Sequence, residues 1–479
     1  MHLYKAGRMQ QRPIVVRPML VLMTCCLSVL VVGIDTTIVN IALPSIQHDL
    51  HATISGLQWV LDGYTLVIAG CLMLAGSLAD RFGRRLLFLC GLGVFTFASL
   101  ACAFAPNVQV LIASRALQGV GGSMLNPVAL AIITTAFTEP RERAKALGVW
   151  GAVFGVSLAL GPVLGGALTQ TFGWRAVFLV NGPIGVVAIA LVLCFVPEAK
   201  AREVRSIDKL GQVLFFLTIT ALSYGFIEGQ HRGWRSAFIL VAFSSATCMF
   251  LVFVWHERRH HEPLVEFRYF RSVPFSGATI TAGLAFATLA SVLFLQALYL
   301  QNVRHFTALH AGLCLAPLAI AIVLCSPLSG RMISTFGARP SLILAGLMLM
   351  TGALLSVHIT EASSFQALIS VYLCFGAGIG FVNPAISKIA MSGLPADRSG
   401  VAAAIASTSR QIGSALGVAI SGAIVAAGVA HGMAFVPASR PAWWGLLASG
   451  VLIAAIGWFT ETSWAQRTAQ LVHEVGSVV

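Results

Sequence analysis

The chain is a succession of apolar stretches, each interrupted by a short cluster of charged residues, glycine or proline. Crossing the hydrocarbon core of a bilayer takes roughly 20 apolar residues of helix. Marking the breaks predicts fourteen helices, beginning near Ile14, Gly56, Leu86, Val108, Ala146, Ala176, Gly211, Ala237, Phe275, Ala311, Ser341, Phe365, Val401 and Ala442. The first run is too long for a cleavable leader, carries Asp35 inside it and leads straight into further spans, so it is expected to stay in the mature chain. The pattern therefore predicts an all-α polytopic membrane protein.

Composition strengthens this reading. Of 479 residues, 57% are hydrophobic and 10% charged, more apolar material than a soluble domain can bury. The net charge of +13 does not point to nucleic acid, because the basic residues form no continuous stripe. They lie in short loops and carry a topology signal. Lys5, Arg8, Arg81, Arg84, Arg85, Arg141, Arg143, Lys145, Lys200, Arg202, Arg258, Arg259, Arg268, Arg271, Arg331, Arg339 and Arg467 fall on one side; Arg175, Arg232, Arg235, Arg304 and Arg440 fall on the other. The positive-inside rule then places both termini in the cytoplasm. All 10 cysteines sit in apolar runs without metal or disulfide spacing and read as packing residues.

The chain repeats itself. Gly119, Gly121 and Asn126-Pro127 recur 257 residues later as Gly376, Gly378 and Asn383-Pro384. Gly76, Phe82-Gly83 and Arg85 recur as Gly330, Phe336-Gly337 and Arg339, and Pro140 with Arg143 as Pro395 with Arg398. Ordered matches at a nearly constant offset imply two six-helix halves with two helices inserted between them, an architecture suited to alternating access. The expected division is a first bundle over 1–200, two linker helices over 201–271, and a second bundle with a cytoplasmic tail over 272–479.

Four segments concentrate unusual residues. After the second helix comes a charged turn, Gly76-Ser-Leu-Ala-Asp80-Arg81-Phe-Gly83-Arg84-Arg85. There Gly76 allows close helix approach, Gly83 lets the chain turn, and Asp80 is placed to accept from an arginine or a helix N-terminus as a latch. The first and fourth helices contain Asp35 to Pro44 and Arg115-Ala-Leu-Gln118-Gly119. The fifth carries Gly151, Gly155, Gly161-Pro162 and Gly165-Gly166, which should bend it and bring its backbone against a partner. Together with Arg410-Gln411-Ile-Gly413, these segments resemble the major facilitator superfamily. The likeness runs over essentially the whole chain and is strongest to the fourteen-spanning drug:proton antiporter family 2, the EmrB/QacA-like group. That resemblance implies an inner-membrane exporter of lipophilic, often cationic drugs, and the glycine-proline run implies antiport and not uptake. Unlike relatives that pump divalent organic cations, this chain has no acidic residue within its ninth to fourteenth helices.

Among carboxylates, Asp35 and Asp62 lie well inside spans, where an ionisable side chain is costly and thus a functional candidate. Counting residues along the helices brings Asp35, Asp62 and Arg115 to a similar depth in the outer half of the first bundle. Asp35 is the first candidate for the exchanged proton, Asp62 the second, and Arg115 the charge that holds Asp35 ionised. Gln118, Asn126, Trp150, Phe154, Asn383 and Arg410 are candidates for lining a cavity. His256, His260 and His261, mixed with Glu257 and Glu262, read as a solvated linker, so no metal site is expected. No Walker-type Gly-Lys-Ser/Thr stretch is present, so no cofactor is expected and the energy should come from the proton gradient. An uptake symporter of the same fold and a non-transporting membrane sensor remain the alternatives. Small molecules and the lipid bilayer are the expected partners, and no motif decides for or against a periplasmic adaptor or an outer-membrane channel.

Overall fold

The computed structural model describes residues 18–198, 208–260, 263–392 and 399–476. Ile14, Lys5, Arg8, Lys200, Arg202, His261, Glu262, Pro395 and Arg398 lie outside the described residues. Fifteen helices account for the fold: α1 Pro18–Leu50, α2 Ile54–Phe82, α3 Arg84–Ala103, α4 Val108–Ala136, α5 Pro140–Phe172, α6 Ala176–Phe195, α7 Lys209–Arg232, α8 Ala237–Glu257, α9 Val273–Val303, α10 Ala308–Phe336, α11 Arg339–Val357, α12 Phe365–Ser392, α13 Ser399–Ala430, α14 Phe435–Thr460 and α15 Ser463–Gly476. Thirteen of them are long and apolar enough to cross a membrane, and the bent helix α5 makes fourteen. The apolar pattern did not reveal α15. Its apolar positions form only one stripe, and it lies against the start of α9, where its Thr468 accepts from the Val273 amide.

Lipid offers no hydrophobic drive to bring helices together, so association rests on close packing and hydrogen bonds. In the first bundle α1 packs on α5, and α4 on α2 and α3. In the second, α9 packs on α13, while α12 packs on α10 and α11. The repeated glycines explain the correspondence. A side chain on Gly119 would strike the Tyr64 carbonyl of α2, 2.7 Å away, and one on Gly376 would strike the Leu318 carbonyl of α10. Gly121 fits against Phe95 and Gly91 of α3 in the way Gly378 fits against Leu349 and Ala345 of α11. Backbone therefore meets backbone at the same two seams in each half. The inserted pair stands beside the junction of the halves: α7 touches α2 and α13, and α8 leans mainly on α7.

Contact between the halves is concentrated at one end. Gln301 donates to the Ile41 carbonyl at 2.9 Å, Asn302 to Gln47 at 3.2 Å, and the Leu309 amide to Gln170 at 3.2 Å. A π-helical turn over Tyr299–Val303, followed by His305 at φ 54°, re-aims the end of α9 so that Gln301 and Asn302 face α1. Gln58 of α2 donates to the Val418 and Ala419 carbonyls of α13 at 3.0 and 2.8 Å. At the opposite end, where the charged turn lies, no hydrogen bond crosses between the halves among the described residues. Gly148, Gly151, Gly155 and Gly330 face open space there.

Candidate functional site

Helix α1 carries Asp35 into the middle of the first bundle, where its carboxylate is fully buried. Three donors meet it. Arg115 Nη1 of α4 donates to Oδ2 at 2.6 Å, Gln118 Nε2 to Oδ1 at 2.8 Å, and Asn181 Nδ2 of α6 to Oδ1 at 2.9 Å. Arg115 is satisfied in turn, donating to Gln118 Oε1 at 2.7 Å and to the Val60 carbonyl at 3.2 Å. Its guanidinium carbon lies 4.1 Å from the centre of the Tyr64 ring. Ser99 of α3 completes the knot: its hydroxyl accepts from Asn181 at 3.0 Å and donates to the Phe178 carbonyl at 2.9 Å. The carboxylate thus ties three helices directly, and Ser99 of α3 and the Val60 carbonyl of α2 bring the network to five. A buried pair is tolerable in such surroundings only when its remaining lone pairs and protons are met, as they are here.

Asp62 is the opposite case. It is equally buried, yet neither oxygen has a hydrogen-bond partner among the described residues. Sequence depth alone would gather Asp62 with Asp35 and Arg115; the structure brings the latter two together and leaves Asp62 out. The cause is helix phase. Asp62 lies one turn from Gln58, which bonds α13, and one turn from Leu66, which packs with Ala415 of α13 and Ile219 of α7. Its face of α2 therefore looks at the seam between the halves, whereas neighbouring Gly63 looks at α4.

Helix α5 bends by 40° between Leu158 and Leu160. Pro162 lacks the amide that would have bonded the Leu158 carbonyl, and Thr37 of α1 donates its hydroxyl to that carbonyl at 3.3 Å. The glycines past the bend divide their work. Gly161 and Gly165 press on Thr37 and on the Ile38 carbonyl of α1, inside the first bundle, whereas Gly166 abuts the Ala308 carbonyl of α10, 2.5 Å from where a Cβ would stand. Gly312 of α10 reciprocates against the Pro162 carbonyl. Gly151 and Gly155, expected to pack closely, meet no neighbour because their half of α5 faces the parted end.

In the charged turn Arg84 donates to Asp80 at 3.1 Å and to the Ala131 carbonyl at 3.1 Å, and Arg85 donates to the Leu193 carbonyl at 2.7 Å. Arg81 lies over the Phe82 ring. Gly83 has φ 118°, a conformation that disfavours any side chain, and Glu198 accepts there from the Arg85 amide at 3.2 Å. The second copy has the same device: Gly337 has φ 80°, and Glu461 accepts from the Ala338 and Arg339 amides at 2.7 and 3.1 Å. One glutamate in each half, just past the end of α6 in the first and of α14 in the second, thus stabilises the N-terminus of α3 or α11, a symmetry that the short repeats did not disclose. Gly76, expected at a close helix contact, faces open space because the halves are apart there.

Of the residues expected to line a cavity, Gln118 is instead buried in the Asp35 knot. Asn126, Trp150, Phe154, Asn383 and Arg410 are all half-buried; Arg410 lies 5.7 Å from the Phe286 ring, and the Trp150 indole nitrogen and Asn126 Oδ1 have no partner among the described residues. The linker residues are not solvated as expected: Glu257 is 3% exposed, and His256 packs against Asp208.

The chain matches the sequence profile of the Major Facilitator Superfamily over residues 25–226 and again over 210–418. It is 38% identical over 399 residues to the multidrug resistance protein Stp of Mycobacterium tuberculosis, a match covering 83% of this chain and 74% of that one. The tetracenomycin C resistance and export protein of Streptomyces glaucescens is 35% identical over 402 residues, covering 84% and 74%. The methylenomycin A resistance protein of Streptomyces coelicolor is 34% identical over 382 residues, covering 80% of each. Among solved structures, the bacterial homologue of the human lysosomal transporter Spinster, in an inward-facing and unoccupied conformation, superposes with a TM-score of 0.65 at 18% identity, over 96% of this chain and 99% of that one. At that identity the likeness concerns the fold.

Proposed function

Because the chain belongs to the major facilitator superfamily, we propose that it is a fourteen-spanning drug:proton antiporter of the EmrB/QacA-like group that exports lipophilic, often cationic compounds across the inner membrane. The relatives named for drug resistance and export support the direction and the substrate class. Proton coupling rests on one observation, the contrast between two buried carboxyls: Asp35 is saturated with donors and Asp62 has none. An ionised carboxyl without donors is costly in apolar surroundings, and taking a proton removes that cost. Asp62 is therefore assigned the exchanged proton, and the Asp35–Arg115 pair the task of holding the first bundle together while the halves move.

The seam supports an order of events. With the charged turn in the cytoplasm, the parted end opens inward and the joined end closes the outer side. Outward opening would break the Gln58 bonds to α13 and bring Asp62 to outside water, where it takes up a proton. Closing the seam buries the neutral acid again. A cationic drug entering from the inner side then favours the ionised form, and the proton leaves inward. The test is drug-driven proton release from reconstituted vesicles, with uptake of a fluorescent lipophilic cation into energised cells as the direction control. Lower dye accumulation that a protonophore reverses is expected; dye accumulation above that of cells lacking the protein would turn the assignment to uptake.

The division of the α5 glycines yields a second expectation. Gly166→Leu places a side chain against the immobile Ala308 backbone of the other half and should shift the population toward the outward-open state. Gly161→Leu disturbs only α1–α5 packing within one half and should lower stability without that shift. Spin-label distances across the joined end would separate the two, and equal distances in both variants would remove the gating role from Gly166.

A further inference from the structure

Where α7 begins and α8 ends, four titratable side chains converge that the transport cycle does not use. Asp208 caps α7, its Oδ1 accepting from the Gly211 amide at 2.9 Å, and the same oxygen lies 2.8 Å from His256 Nε2. His260 lies one helical turn from His256, the ring centres 5.1 Å apart. One ligand atom each from Asp208, His256 and His260 falls within 4.8 Å of the others. Glu257 joins them from the buried side: its Oε2 accepts from the Val265 amide at 3.0 Å, and its Oε1 turns toward Asp208.

Two oxygens here are unexplained. Asp208 Oδ2 and Glu257 Oε1 belong to side chains of residues 6% and 3% exposed, and neither atom has a hydrogen-bond partner among the described residues. Both lie beside the bare α-carbon of Gly211, where any Cβ would collide with them. Two carboxylates pressed together without donors call for a shared proton or a cation between them. Two imidazoles at the rim supply the nitrogen ligands that borderline divalent metals prefer over magnesium or calcium.

We propose that Asp208, His256 and His260, with Glu257 as the second carboxylate, form a binding site for a divalent transition-metal ion of the zinc type. The ion would tie the start of α7 to the end of α8, fixing the inserted pair at the point where the chain leaves the first bundle and approaches the second. Its probe is Zn²⁺ or Co²⁺ added to the purified, tag-free full chain after chelator treatment. One equivalent per chain is expected, and the cobalt spectrum should show nitrogen and oxygen ligation without a sulfur charge-transfer band. His256→Ala with His260→Ala should lose the equivalent. Glu257→Gln, which keeps the shape, should weaken binding about tenfold or more. His358→Ala with His431→Ala, distant from the cluster, should bind as the unaltered chain does. Absence of a bound equivalent, a sulfur band that puts the ion on cysteines, or undiminished binding by both the double-histidine and Glu257→Gln variants would overturn the site.

Discussion

Asp62→Asn is expected to abolish drug-driven proton release while the protein inserts, folds and still binds neutral drugs. Asparagine keeps the volume of the neutral acid and cannot exchange a proton. The unaltered side chain makes no hydrogen bond to the described residues, so the substitution breaks none there. Thermal stability should therefore hold or rise, since a buried polar group that can ionise without a partner is replaced by one that cannot ionise. The loss should appear as uncoupling: drug moves down its own gradient in vesicles, but an imposed pH gradient no longer drives it uphill. Asp62→Glu, which restores an ionisable group on a longer arm, should return part of the coupling. Proton release at the unaltered rate from Asp62→Asn would end the assignment.

The different surroundings of the two aspartates were only partly legible in the sequence. Depth along each helix follows from counting, because the rise per residue is fixed, and Asp35 and Arg115 meet as counted. Azimuth does not follow from the count: on α2 it sets Asp62 on the face of Gln58 and Leu66, toward α13, at the expected depth but before another neighbour. The bundle repeat was visible because glycines recur wherever backbones touch, and Gly119, Gly121, Gly376 and Gly378 do touch corresponding helices. Ser99 escaped notice because a serine in a span usually bonds its own helix, and only the tertiary fold sets its hydroxyl between Asn181 and Phe178. The stretch with His256, Glu257 and His260 read as a solvated linker because charge density near a loop usually means water, and Asp208, 48 residues before His256, gave no sign of joining it. What buries the cluster is the return of the chain at Val265, 8 residues beyond Glu257, which no periodicity encodes.

Asp35→Asn should have the largest effect on folding. It leaves the Arg115 guanidinium, 1% exposed, without a counter-charge, and removing one partner of a buried pair costs about 3–5 kcal/mol. Low yield and a lowered unfolding temperature are expected, and transport loss in this variant alone would not show that Asp35 carries the proton. The informative experiment adds Arg115→Gln. With both charges gone, Gln118 and Asn181 can bond the two new amides, and most of the lost stability should return. If Asp35 serves to hold the bundle, the double variant regains drug-driven proton release along with stability. If Asp35 carries the proton, the double variant is stable and silent. Measuring unfolding temperature and proton release on the same preparations of the single and double variants separates these outcomes. A stable double variant without release, beside an Asp62→Asn variant that releases normally, would move the exchanged proton from Asp62 to Asp35.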